Sequence, residues 1–114
     1  MNNISNELEK IFNCKVNHNE SSRVYKLDTN LEDINTILDL FIDLKLKENI
    51  NLFLEFNNVK IVVKYDYNKF IITANKQIEQ NIDKHVYKEF AKLYNNPIFD
   101  VQIKTSARTT KLEI

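Results

Sequence analysis

The chain has 114 residues, 43% hydrophobic and 28% charged, with 16 basic and 16 acidic side chains and no net charge. That length suits one domain with a single core. The balance excludes a global basic field for nucleic acid, and the composition disfavours a disordered chain and a membrane span, since no apolar run approaches about 18 residues.

The chain contains no glycine. The P-loop, the dinucleotide-binding turn, the nucleophile elbow and the EF-hand loop all place glycine where φ is positive or where backbone meets ligand. None of them can be written here in standard form. Asparagine tolerates the left-handed region, so it is expected at the turn positions. Abundant Asn, Ile and Lys, with Arg23 and Arg108 the only arginines, suggest AT-rich coding, as in low-GC bacteria and their phages. Cys14 is the sole cysteine and implies no internal disulfide. Residues 1–7 have neither the basic nor the apolar region of a signal peptide, so the expected location is the cytoplasm.

Ile4, Leu8, Ile11 and Phe12 recur at helical spacing and predict a short N-terminal helix. The polar stretch Asn17 to Ser22 reads as a loop, and 23–27 as a strand. Thr29 and Glu32 form a capping-box pattern ahead of Leu31, Ile34, Leu38, Phe41 and Ile42, which predicts a helix over 31–47. Ile50 to Phe56 alternates, Asn57-Asn58 offers a two-residue turn, and Val59 to Tyr65 alternates again. This hairpin sets Ile50 against Tyr65 and Glu55 against Lys60, with both faces matched. A further strand over 70–74 extends it into a meander over 50–74. Ile78, Ile82, Val86, Phe90 and Leu93 predict a helix over 77–94, ended by Asn95-Asn96-Pro97. A strand follows near 98–104, and a weaker one over 109–114.

The expected fold is a single α+β domain spanning 1–114, an antiparallel sheet with two main helices and a short N-terminal one. Similar spacings suggest a β-α-β-β pseudo-repeat over 23–65 and 70–114.

Chemistry is thinly signalled. Cys14 and His18 would supply at most two ligands to a metal, with His85 or a carboxylate completing the set, and no CxxC, HxxxH or HExxH spacing occurs. A Cys14–His18 nucleophile pair is formally writable, but a cysteine following a helix is expected to face the core as a small apolar residue. No catalytic, cofactor-binding or metal residue is assigned.

The charge distribution carries more. Residues 1–56 hold ten acidic and six basic side chains, and residues 57–114 hold six acidic and ten basic. Glu32, Asp39 and Asp43 form an acidic stripe on the middle helix. Lys84, Lys88 and Lys92 form a basic stripe on the last one, and Lys104, Arg108 and Lys111 add charge behind it. Phe53 and Val62 fall on the second face of the hairpin, either beneath the N-terminal helix or tail, or in a contact patch.

These features lead to a small cytosolic, non-enzymatic protein that binds another protein through Glu32, Asp39, Asp43, Phe53 and Val62. Compact α+β domains without catalytic motifs are common among immunity proteins and phage inhibitors of host defence, an analogy of size and composition. One alternative is a nucleic-acid-binding domain using the lysine stripe with Lys104, Arg108 and Lys111. Another is a small enzyme or metal protein using Cys14 and His18. Self-association through a sheet edge or the Phe53/Val62 face fits all three.

Overall fold

The computed structural model describes residues 4–45, 49–66, 68–79 and 81–104. Nine elements follow in order: α1 (Ile4–Phe12), β1 (Val16–Asn19), β2 (Val24–Leu27), α2 (Asn35–Leu44), β3 (Ile50–Glu55), β4 (Lys60–Asp66), β5 (Lys69–Ala74), α3 (Lys84–Leu93) and β6 (Ile98–Ile103). The strands form one six-stranded sheet in the order β1-β2-β3-β4-β5-β6. The fold is α+β, as the sequence predicts.

The central hairpin has the expected register, from Ile50 opposite Tyr65 to Glu55 opposite Lys60. The Phe56 N–H donates to the Val59 carbonyl at 2.8 Å and closes the turn. Alternation places Leu52, Leu54, Ile61, Val63 and Tyr65 in the core and turns Phe53, Lys60, Val62 and Lys64 to the other face.

The sheet is mixed rather than purely antiparallel. β2 pairs with β3 and β5 with β6 in parallel, each pair joined through a helix. A helix carries the chain back along the sheet, so the strand after it runs in the direction of the strand before it. Hairpin, helix and parallel strand thus run twice, over 16–55 and 60–103. The units suggested by sequence spacing, 23–65 and 70–114, divide the chain differently, and the second extends beyond the described residues. The weak strand over 109–114 and the tail also lie outside them.

β1 replaces part of an expected loop. Only Val16 of its four residues is buried, so no apolar alternation marks it. Asn19 makes the turn: its side chain accepts from the Ser22 N–H at 3.1 Å and its carbonyl from Arg23, which sits at φ 63°.

Both main helices are shorter than their apolar periodicity implies. Residues 29–31 are held outside the helix, against the 57–58 turn: Asn57 N–H donates to the Thr29 carbonyl, and the Asn58 side chain bonds both Leu31 N–H and Leu31 C=O at 2.9 Å. That pairing displaces the expected capping box, and α2 begins only at Asn35. It ends on Lys45 in the left-handed conformation, with the Lys45 N–H on the Phe41 carbonyl. Residues 46–48 lie outside the described set. Ahead of α3, the chain bridges Asp33 through Glu79 and buries Ile78 from a loop. The Asn35 side chain then ties the two helix starts together, bonding the Asn81 carbonyl and the Asp83 N–H at 3.0 Å each.

One core lies between the sheet and the helices. Phe70 of β5 meets Phe41 of α2 and Phe90 of α3 edge-on, with centroids 5.3 and 5.0 Å apart. Tyr65, Tyr94 and Phe99 complete the aromatic cluster. α1 packs on α2 and β1, on the helical side of the sheet. It therefore does not cover Phe53 and Val62, as one sequence reading expects. No described helix is long and apolar enough to cross a membrane.

Candidate docking surfaces

The helical layer carries an acidic surface. α2 buries Ile37, Leu38, Leu40 and Phe41, which turns Asp39 and Asp43 outward one turn apart. Burial raises the Asp39 carboxyl above its usual range, and Asp43 pushes it further; Asp33 and Asp83 act in the same direction, while His85 opposes them. Asp83 reaches this surface because Asn35 holds the start of α3 against the start of α2. Glu32 is exposed but lies three residues ahead of α2, so the expected stripe keeps only Asp39 and Asp43 on the helix. Asp33, Asp83 and His85 are the members that sequence reasoning missed, because a loop-to-loop tie brings them in.

The ends of α2 follow its dipole, since the Asp33 carboxylate accepts from the Asn35 N–H at 2.8 Å and Lys45 is the C-cap, but its last turn carries an acid. The negative end of a helix favours cations. α2 has no basic residue in its last turn and no acid in its first, yet Asp43 sits one residue before its end. α1 follows the dipole, with Glu7 in its first turn and Lys10 in its last, and α3 does so at its end, with Lys92 in the last turn. Among the described residues the ion pairs are Lys10–Glu7 and Lys92–Glu89, and neither involves Asp39 or Asp43.

The opposite side of the sheet is open. Cross-strand register lines up Val24, Phe53, Val62, Thr73 and Gln102 across five strands. Val62 is 36% exposed and Phe53 is half-buried. Lys26, Glu55 and Lys60 form a charged row beside them, with a shallow groove between. Phe53 and Val62 thus lie on the face away from α2. The five residues expected to form one contact patch occupy two sides of the molecule, since helix and strand faces are aligned only by packing.

Lys84, Lys88 and Lys92 all project from α3 into solvent, with the exposed Tyr87 between the first two. Lys104 follows β6 and is exposed, whereas Arg108 and Lys111 lie outside the described residues. Cys14 is half-buried and packs against the core, and burial pushes its thiol up, away from the reactive thiolate. The His18 ring stacks on Tyr25 at 4.0 Å. His85 lies on α3, and no cluster of three or more metal-ligating side chains occurs among the described residues. No protein-family model, curated protein or solved structure matches the chain.

Proposed function

We propose that the protein is a non-enzymatic cytoplasmic factor that binds another protein, docking the Asp39/Asp43 surface of α2 on a basic surface. The best-fitting class is an inhibitor, immunity or anti-defence factor of a low-GC bacterium or its phage. The observation that carries the docking reading is the exposed pair Asp39 and Asp43, one turn apart on α2, with Asp33 and Asp83 close enough to act on Asp39. Asp43 lies in the last turn of α2, and Asp39 sits among carboxylates that repel it, partly offset by His85. Neither acid is in an ion pair with another described residue. A partner presenting lysines and arginines supplies cations to both, and a groove that normally holds nucleic acid has that chemistry. The glycine-free, lysine-rich composition supports the choice of source.

The test begins with a tagged copy in a low-GC bacterial host and identification of what co-purifies, with and without nuclease. A near-stoichiometric protein surviving nuclease is expected. The Asp39→Lys, Asp43→Lys double variant should then weaken the complex roughly ten-fold or more at low salt and less at high salt. A complex indifferent to that reversal sinks the acidic-surface reading.

A second reading is favoured by one observation: three unburied lysines follow one line on α3 with Tyr87 among them. It makes the protein a nucleic-acid-binding domain. Partners that vanish with nuclease, together with steeply salt-dependent binding to DNA or RNA, would put this reading first.

A further inference from the structure

The sheet ends in two unlike edges. β1 is short and polar, and its first N–H is taken by the Glu9 carboxylate at 3.3 Å. β6 is longer, and none of its residues 98–103 is lysine or proline, the residues that commonly blunt an edge. Its apolar residues Phe99, Val101 and Ile103 pack against the core yet stay half-exposed. Tyr87, 43% exposed, leans edge-on against Phe99 at 6.0 Å, so the helical side of this edge shows open apolar surface.

The backbone phase of β6 is set by its parallel ladder with β5. The Ile98 N–H donates to the Asn68 carbonyl and the Lys104 N–H to the Ala74 carbonyl. Residues 98, 100, 102 and 104 therefore turn their backbone groups inward to β5. Phe99, Val101 and Ile103 turn theirs outward, where no described residue meets them. The residues with free backbone groups are also those whose side chains lie on the helical face.

We propose that β6 pairs antiparallel with β6 of a second copy, with Val101 on the two-fold axis, joining two sheets into one. Opposed residues share a face, so the outward-bonding set must oppose itself. Centred on Val101, Phe99 faces Ile103 of the second copy, Val101 faces Val101, and each pair exchanges both backbone bonds. On the open face, Asp100 then meets Gln102 of the second copy, a pairing these side chains already make within one strand at 3.0 Å. The neighbouring registers are worse. Centring on Asp100 sets two carboxylates together and puts Ile103 against Pro97, which has no N–H. Centring on Phe99 puts Val101 against Pro97, and centring on Gln102 leaves Phe99 opposite no described strand residue.

Sedimentation of the full chain tests this across micromolar to sub-millimolar concentrations. The mass should double, and Val101→Pro should abolish the doubling while circular dichroism shows the fold retained. Proline removes only an N–H that points away from the sheet, a strand position where it is tolerated. In a Cys14→Ala background, Val101→Cys should form an inter-chain disulfide, because a bonded antiparallel pair lies about 5.5 Å apart, within disulfide range. Asp100→Cys in the same background should cross-link at least ten-fold more slowly. The cysteine pair decides the matter if the proline variant does not fold. A wild-type monomer throughout, a dimer persisting in folded Val101→Pro, or faster cross-linking at position 100 would each overturn the proposal. A dimer broken by Val62→Lys but not by Val101→Pro would also overturn it, moving the contact to the open face.

Discussion

Tyr94 closes α3 with its ring among Tyr65, Phe70 and Phe90, and its hydroxyl donates a long bond, 3.5 Å, to the Phe41 carbonyl. Burial, reinforced by Tyr65, pushes its phenol up from 10 to about 12. The unfolded chain loses this proton near pH 10, while the folded chain keeps it to about pH 12. The stabilising contribution is therefore complete below pH 10 and is lost as pH rises to about 12. Tyr94→Phe should cost about 1 kcal/mol at neutral pH. It should also flatten the alkaline fall in stability, read by urea unfolding at pH values on either side of 10. An unchanged fall would show that Tyr94 does not govern it. Asp39 follows the same sign rule, since its carboxyl is also raised: its ionisation weighs against the fold as pH climbs through the acid range. Asparagine answers the lack of glycine, as the sequence implies. Asn13, Asn68 and Asn96 take positive φ, alongside Arg23 and Lys45.

At the scale of elements, α2 shows how tertiary bonds trim a helix. Its apolar period continues upstream to Leu31, but the Asn58 amide holds that residue's backbone as a strand partner would. The far end of α2 is strained by a lysine in the left-handed region at φ 52°. That conformation costs an L-residue roughly 1–2 kcal/mol, against about 0.5–1 kcal/mol for the extra chain entropy of glycine. Lys45→Gly should raise stability by about 0.5–1 kcal/mol, seen as a higher denaturant midpoint at constant slope. A lower midpoint would mean that the lysine stem contributes packing there. α3 is trimmed for a similar reason. Its upstream apolar residue Ile78 enters the core from a loop tied to α2 by Asn35.

For the whole molecule, the repeated hairpin-helix-strand order raises the question of whether the halves fold separately. The core argues against it. Phe41 from the first half packs on Tyr65 and Phe70 from the second, and β3 pairs with β4 along six opposed residues. Unfolding should therefore be a single transition, with far-ultraviolet circular dichroism and tyrosine fluorescence coincident within error. Separated curves would show that the halves unfold independently. The same architecture gives the molecule two distinct sides, a helical layer with the acids of α2 and the lysines of α3, and an open sheet face, with the β6 edge between them.

Much of this was legible in the residues alone. Alternation across 50–65 and the Asn57-Asn58 turn determined the central hairpin to the residue, because side-chain period and turn length are local quantities. The existence of the helices, the exposure of Asp39, Asp43 and the lysine stripe, and the use of asparagine at turns were determined in the same way. The parallel pairings of β2 with β3 and β5 with β6 were not, since no local pattern records the direction in which a strand returns. β1 escaped because an edge strand with one buried residue has no period. Tertiary structure alone decided where α2 and α3 begin, that Asp33, Asp83 and His85 gather around Asp39, and that Phe53 and Val62 face away from the acids. Periodicity sets which residues of one element share a face, but only non-local packing sets which faces of different elements share a side of the molecule.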